Sequence, residues 1–111
     1  MTAKPSCVVA AAGLLVFIVA TAAYAASATV VDQVRQRFSI SVLSIIAGDS
    51  IRYANTDDVR HNIHIYGSDG TDVDHGLQNP EQTLEVKFDR PGVFVVRCSI
   101  HQKMKMRVEV R

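Results

Sequence analysis

Cys98-Ser99-Ile100-His101-Gln102-Lys103-Met104 puts a thiol, an imidazole and a thioether at equal three-residue spacing. A thiolate, an imidazole and a thioether form the donor set that suits copper in a trigonal site of two His and one Cys with a weak axial Met. The stretch lacks one imidazole. Of the chain's 4 histidines, His61, in the run His61-Asn62-Ile63-His64, is the best placed to supply it.

Working outward, side chains alternate between faces along a strand. Phe94, Val96 and Cys98 therefore share a face in a strand over residues 93–98. Phe94 and Val96 are apolar, so Cys98 is expected to point into a core at the strand's end. Met104, Met106, Val108 and Val110 alternate in the same way and predict a last strand over 104–110. One short loop between neighbouring strands then brings three donors around one point. Asp89-Arg90-Pro91-Gly92 is a turn signal, because Pro presets the first central dihedral and Gly tolerates positive φ. Ahead of it, Leu84, Val86 and Phe88 alternate over 83–88.

His61 opens a strand over 61–66, with Ile63 and Ile65 on its own face, so its ring is also expected inward. Asn62 is placed to tie the two donor-bearing segments together. His64 falls on the opposite face and reads as a structural or surface histidine. His75 lies in residues 67–81, a Gly-, Asp- and Asn-rich segment that reads as the longest loop, holding at most a short extended piece. Residues 50–55, 42–46 and 30–38 read as further strands, the last with imperfect alternation. No helical period follows residue 28. Several short strands separated by turn signals predict an all-β sandwich or barrel.

The N-terminus reads differently. Lys4 precedes an apolar run over 8–20, and Ala23-Tyr24-Ala25 is a small-x-small cleavage signal, with a second candidate at Ala26-Ser27-Ala28. Residues 1–25 are therefore expected to be a secretory signal peptide and 26–111 the mature domain. A retained anchor is the competing reading, since the stretch from Val8 to Ala26 is almost long enough to span a bilayer; the Ala-x-Ala series favours cleavage. The chain has 12 Lys and Arg against 11 Asp and Glu. Cleavage removes Lys4 and no other charge, so the mature domain is neutral and presents no general case for nucleic acid. It also removes Cys7, one of 2 cysteines, leaving Cys98 alone in an oxidising compartment. A lone exported thiol calls for an explanation, and metal ligation is one.

This arrangement resembles the cupredoxins, the small blue copper proteins, and most closely amicyanin and the plastocyanin-like proteins. The resemblance runs from about residue 29 to 111 and rests on His61-Asn62-Ile63-His64, on Phe88-Asp89-Arg90-Pro91-Gly92, and on Cys98-x-x-His101-x-x-Met104. It implies a Greek-key β-sandwich with copper at one end, bound by His61, Cys98, His101 and Met104. The short donor loop is like that of amicyanin. Ile100 stands where many relatives have Pro, and Arg60 where Pro is common. Met106 follows His101 at the spacing of relatives with a longer loop; it faces the same way as Met104, and the strand register favours Met104.

The functional expectation is single-electron transfer by one copper ion cycling between Cu(I) and Cu(II), not enzymatic catalysis. It implies a periplasmic or otherwise exported monomer, with no stable membrane insertion after processing. Redox proteins are the expected partners, a dehydrogenase or a c-type cytochrome. The alternative is a copper delivery or storage protein without redox turnover. Lys103, Lys105, Arg107 and Arg60 flank the expected site, which suggests a partner with an acidic patch.

Overall fold

Alternation of apolar and polar residues produces nine strands among the described residues, which are 2–6, 10–20 and 28–111 of this computed structural model. The strands are β1 (Ala28–Val34), β2 (Arg37–Phe38), β3 (Val42–Ile45), β4 (Ser50–Asn55), β5 (His61–Gly67), β6 (Asp72–Gln78), β7 (Thr83–Lys87), β8 (Gly92–Arg97) and β9 (Lys105–Val110). Residues 2–6 and 10–20 are exposed and carry no regular secondary structure. Among the described residues no helix is long and apolar enough to cross a membrane. The first candidate cleavage point, after Ala25, and Cys7 lie outside the described residues, as do Ala26 and Ser27 of the second.

The strands form two sheets, ordered β2-β1-β4-β7 and β3-β9-β8-β5-β6. β1 pairs parallel with β4, and β3 parallel with β9; the remaining neighbours are antiparallel. The chain passes repeatedly from one sheet to the other, giving the expected Greek-key sandwich. Val31, Ile51 and Tyr53 of the first sheet pack in one buried cluster with Ile63, Ile65, Val96, Met106 and Val108 of the second. Burying each of the large side chains among them contributes about 1.5–3 kcal/mol. Phe88 and Phe94 meet edge to face, with ring centroids 5.3 Å apart.

Three expectations need correction. Residues 30–38 are not one strand. Arg35 and Gln36 both take positive φ, 51° and 56°, and fold β2 back onto β1. Two-residue hairpin turns of this kind favour Asn and Gly; Arg-Gln carries no such signal. The Gln36 N–H donates to Asp57 Oδ2 at 2.9 Å, a tertiary contact that holds the turn. Second, residues 67–81 contain a full strand, β6, at the edge of the second sheet. All of β6 except Gln78 is exposed, so it shows little apolar alternation. Third, Met104 does not open the last strand, which begins at Lys105.

Candidate metal centre

Cys98 directly follows β8. Phe94 and Val96 are in the core, so the period of two turns Cys98 inward, where it is 1% exposed. The loop beyond it closes on itself. Met104 N donates to His101 O at 2.9 Å, and Cys98 N donates to Met104 O at 3.2 Å. That second bond extends the β8–β9 ladder one step past the Arg97↔Lys105 pair. His61 begins β5 opposite Gln78 of β6, and its ring is fully buried.

These elements bring three of the four expected donors to one point. His61 Nδ1 lies 3.1 Å from His101 Nδ1, and Cys98 Sγ lies 3.8 and 3.7 Å from those two nitrogens. An ion with bonds of about 2.0 Å to imidazole and about 2.3 Å to thiolate, in one plane, would separate its donors by roughly 3.5–3.7 Å. The triangle therefore admits one ion after a small outward shift of the two nitrogens. Its two nitrogens and one sulfur are the equatorial set of copper electron-transfer sites. Among the described residues this is the only group of three or more His, Cys, Asp or Glu donors close enough to hold an ion. Of the three, only His101 reaches solvent.

Met104 is 1% exposed and lies beside this triangle in sequence, outside the apolar cluster that encloses Met106. The two methionines, which strand direction alone left level, thus have different surroundings. Asn62 ties the two donor segments together as expected. Its N–H donates to Cys98 Sγ at 3.4 Å, its Oδ1 accepts from Ser99 N at 2.5 Å, and its Nδ2 donates to Ser99 Oγ at 3.2 Å.

Asp57 was not found from the sequence. Its Oδ2 lies 3.0 Å from His61 Nε2, which leaves the Nδ1 lone pair for the triangle when Nε2 carries the proton. The Gln36 N–H and then the His61 ring hold the Asp57 carboxyl down from its usual value to about 2. A buried polar layer supports this loop. Asn55 Oδ1 accepts from Asp57 N at 3.0 Å, and Asn55 Nδ2 donates to Val59 O at 2.9 Å and Gln78 O at 3.1 Å. Gln78 Oε1 in turn accepts from Gln33 Nε2 at 2.6 Å. The only sequence signal was an acid four residues before a histidine, in a polar loop.

The other histidines stay apart. His64 Nε2 lies 2.6 Å from Asp72 Oδ1, and its ring stacks on Tyr66 with centroids 4.3 Å apart. His75 is exposed on β6. Arg107 is paired with Glu109 at 3.1 Å.

Comparison with known proteins agrees with this geometry. Residues 25–111 match the family described as copper binding proteins, plastocyanin/azurin family. The chain is 32% identical over 87 residues to amicyanin-alpha of Methylorubrum extorquens, covering 77% of this chain and 73% of that protein. It is 41% identical over 56 residues to the methylamine utilization protein MauL of Methylophilus methylotrophus, covering 49% of this chain but only 32% of that one. Among solved structures, the Cu(I) form of an amicyanin variant superposes with a TM-score of 0.71 at 24% identity, over 78% of this chain and 85% of that one. A family match over the whole sandwich, joined to a buried His-Cys-His triangle of the right size for copper, shows that this chain belongs to the plastocyanin/azurin family of copper-binding proteins.

Proposed function

We propose that the protein is a mononuclear type 1 copper protein that carries single electrons between redox partners, with His61, Cys98, His101 and Met104 as its ligands. The observation that carries this reading is the buried triangle whose one solvent-reaching corner is His101. Copper bound there supplies a one-electron couple between Cu(II) and Cu(I). Cys98 would hold the ion through its thiolate, His61 and His101 through Nδ1, and Met104 through its thioether. The chain holds these groups from behind: Asn62 on Cys98, Asp57 on His61, and the closed loop on His101 and Met104. Donors held this way rearrange little between two oxidation states. Four protein donors around one ion leave no position for a substrate, which favours a carrier over an enzyme.

The family match begins at residue 25, where the first Ala-x-Ala signal ends. This supports a leader over 1–25 and a mature domain over 26–111, which we read as a monomer in the periplasm or an equivalent exported space. Similarity to an amicyanin and to a methylamine utilization protein supports redox-protein partners, which we read as a dehydrogenase or a c-type cytochrome. The test is Cu(II) added to the purified mature protein. The expected result is an intense sulfur-to-copper visible band, a type 1 EPR signal and a reversible one-electron wave. Cys98→Ser should remove the band while circular dichroism still reports the sandwich. Copper uptake without a reversible wave would instead indicate delivery or storage, and no uptake would sink both readings.

A further inference from the structure

A cleft of about 750 Å³ opens beside the ligand loop. Its two walls come from distant parts of the chain. The β1–β2 hairpin supplies Arg35 and Arg37, and the segment after His101 supplies Lys103 and Lys105. His101 lines the same cleft, and no carboxylate does. All four cations are exposed, and none is ion-paired among the described residues. Elsewhere Arg52, Lys87 and Arg107 pair with Glu85, Asp89 and Glu109, while Arg60 and Arg97, also without an ion pair among the described residues, do not line the cleft. Asp57, which bonds the hairpin turn, has its Oδ2 engaged by the Gln36 N–H and the His61 ring, and Asp32 of β1 does not line the cleft. A chain with almost balanced charge, formally +1, thus gathers four unpaired positive charges beside the one donor that reaches solvent.

We propose that this cleft seats an extended acidic segment of the electron-transfer partner and so docks the partner against His101. The proposal rests on the electron-carrier reading. Locally concentrated charge steers an encounter and fixes its orientation even when net charge is near zero. The four cations are spread over two walls and all exposed, which suits carboxylates spaced along a chain better than one small caged anion. The patch expected from the sequence is thereby redrawn. Lys103 and Lys105 belong to it, Arg35 and Arg37 join it, and Arg107 and Arg60 do not line it.

The test titrates the copper(I)-loaded protein with a decaglutamate peptide and follows backbone NMR signals at low and high salt. Shifts are expected at residues 35–41 and 101–105, fading at high salt. Arg35→Asn with Arg37→Gln removes two charges, and Asn suits the positive φ at position 35. This variant should weaken peptide binding by about tenfold, the scale of losing two exposed ion pairs. Arg37→Gln alone leaves the turn untouched and should give a smaller loss in the same direction. Arg52→Gln with Arg107→Gln lowers net charge equally outside the cleft and should leave affinity nearly unchanged. Equal weakening by both double variants, shifts centred elsewhere, or a DNA oligomer of equal charge binding the same residues as tightly would each overturn the proposal. Peptide binding is read independently of redox behaviour. A reversible couple without peptide binding removes the cleft alone, and peptide binding without a couple removes the carrier reading.

Discussion

Met104 and Met106 lie two residues apart with their side chains buried, yet their neighbours differ. Met106 pairs with Val96 across the β8–β9 ladder and belongs to the apolar cluster. Met104 is buried outside it, its backbone bonded to Cys98 and His101. Met104→Gln is therefore expected to shift both the reduction potential and the visible spectrum, because the axial donor tunes such a site. Met106→Leu should leave both alone and change stability by roughly 1.5 kcal/mol or less. Voltammetry and urea unfolding of the two variants check this, and the reverse pattern would move the axial role to Met106. Asp57 acts through His61. Removing an outer partner of a metal-binding histidine costs roughly 10- to 100-fold in metal affinity. Asp57→Ala should show that loss in competition against a chelator. An unchanged affinity would reduce Asp57 to a brace for the Gln36 turn.

Between elements, β5 and β8 approach closely at one glycine. Gly67 sits opposite Phe94 in the ladder. A Cβ at Gly67 would lie 2.8 and 2.9 Å from two carbons of the Phe94 ring and 2.5 Å from Asp69 Oδ1. The ring has little room to withdraw, since Phe88 meets it edge-on. Gly67→Ala should therefore cost roughly 1–3 kcal/mol, the usual range for overfilling a packed site. Urea unfolding measures it, and a midpoint equal to wild type would mean that the ring moves aside freely. The β1–β2 hairpin shows how a weak local signal can be overruled. Its two left-handed residues are held from outside by Asp57, so one side chain joins the hairpin to the metal centre.

For the whole molecule, the site connects metal binding to folding. Its donors come from one end of the second sheet, from the start of β5 and from the loop between β8 and β9, distant in sequence and brought together only in the sandwich, so copper should bind the folded chain much more tightly than the unfolded one. Ligand at a hundredfold excess over its Kd adds about 2.7 kcal/mol to stability. Thermal unfolding of the copper-loaded protein should accordingly occur above that of the chelator-stripped protein, and identical midpoints would contradict binding at this site. Processing is also read on the whole chain. The mature protein should begin near Ala26 in a soluble exported fraction. N-terminal sequencing that recovers Met1 or Thr2 from membranes would establish an anchor instead.

Much of this was legible in advance because strand geometry is local. Side chains two apart share a face whatever surrounds them, so Phe94 and Val96 aim Cys98 inward, and Ile63 and Ile65 do the same for His61. The three-residue spacing of Cys98, His101 and Met104 likewise needs only a short loop between neighbouring strands. The edge strand β6 was missed for the same reason, since burial on one face is the signal and β6 is almost wholly exposed. Other features depend on residues far apart in the chain meeting in space. Asp57 reaches both Gln36 and His61, Met104 differs from Met106 only in its neighbours, and Arg37 and Lys103 line one cleft. No local period encodes such meetings. They follow from the crossing of the chain between the two sheets, and the tertiary structure alone decides them.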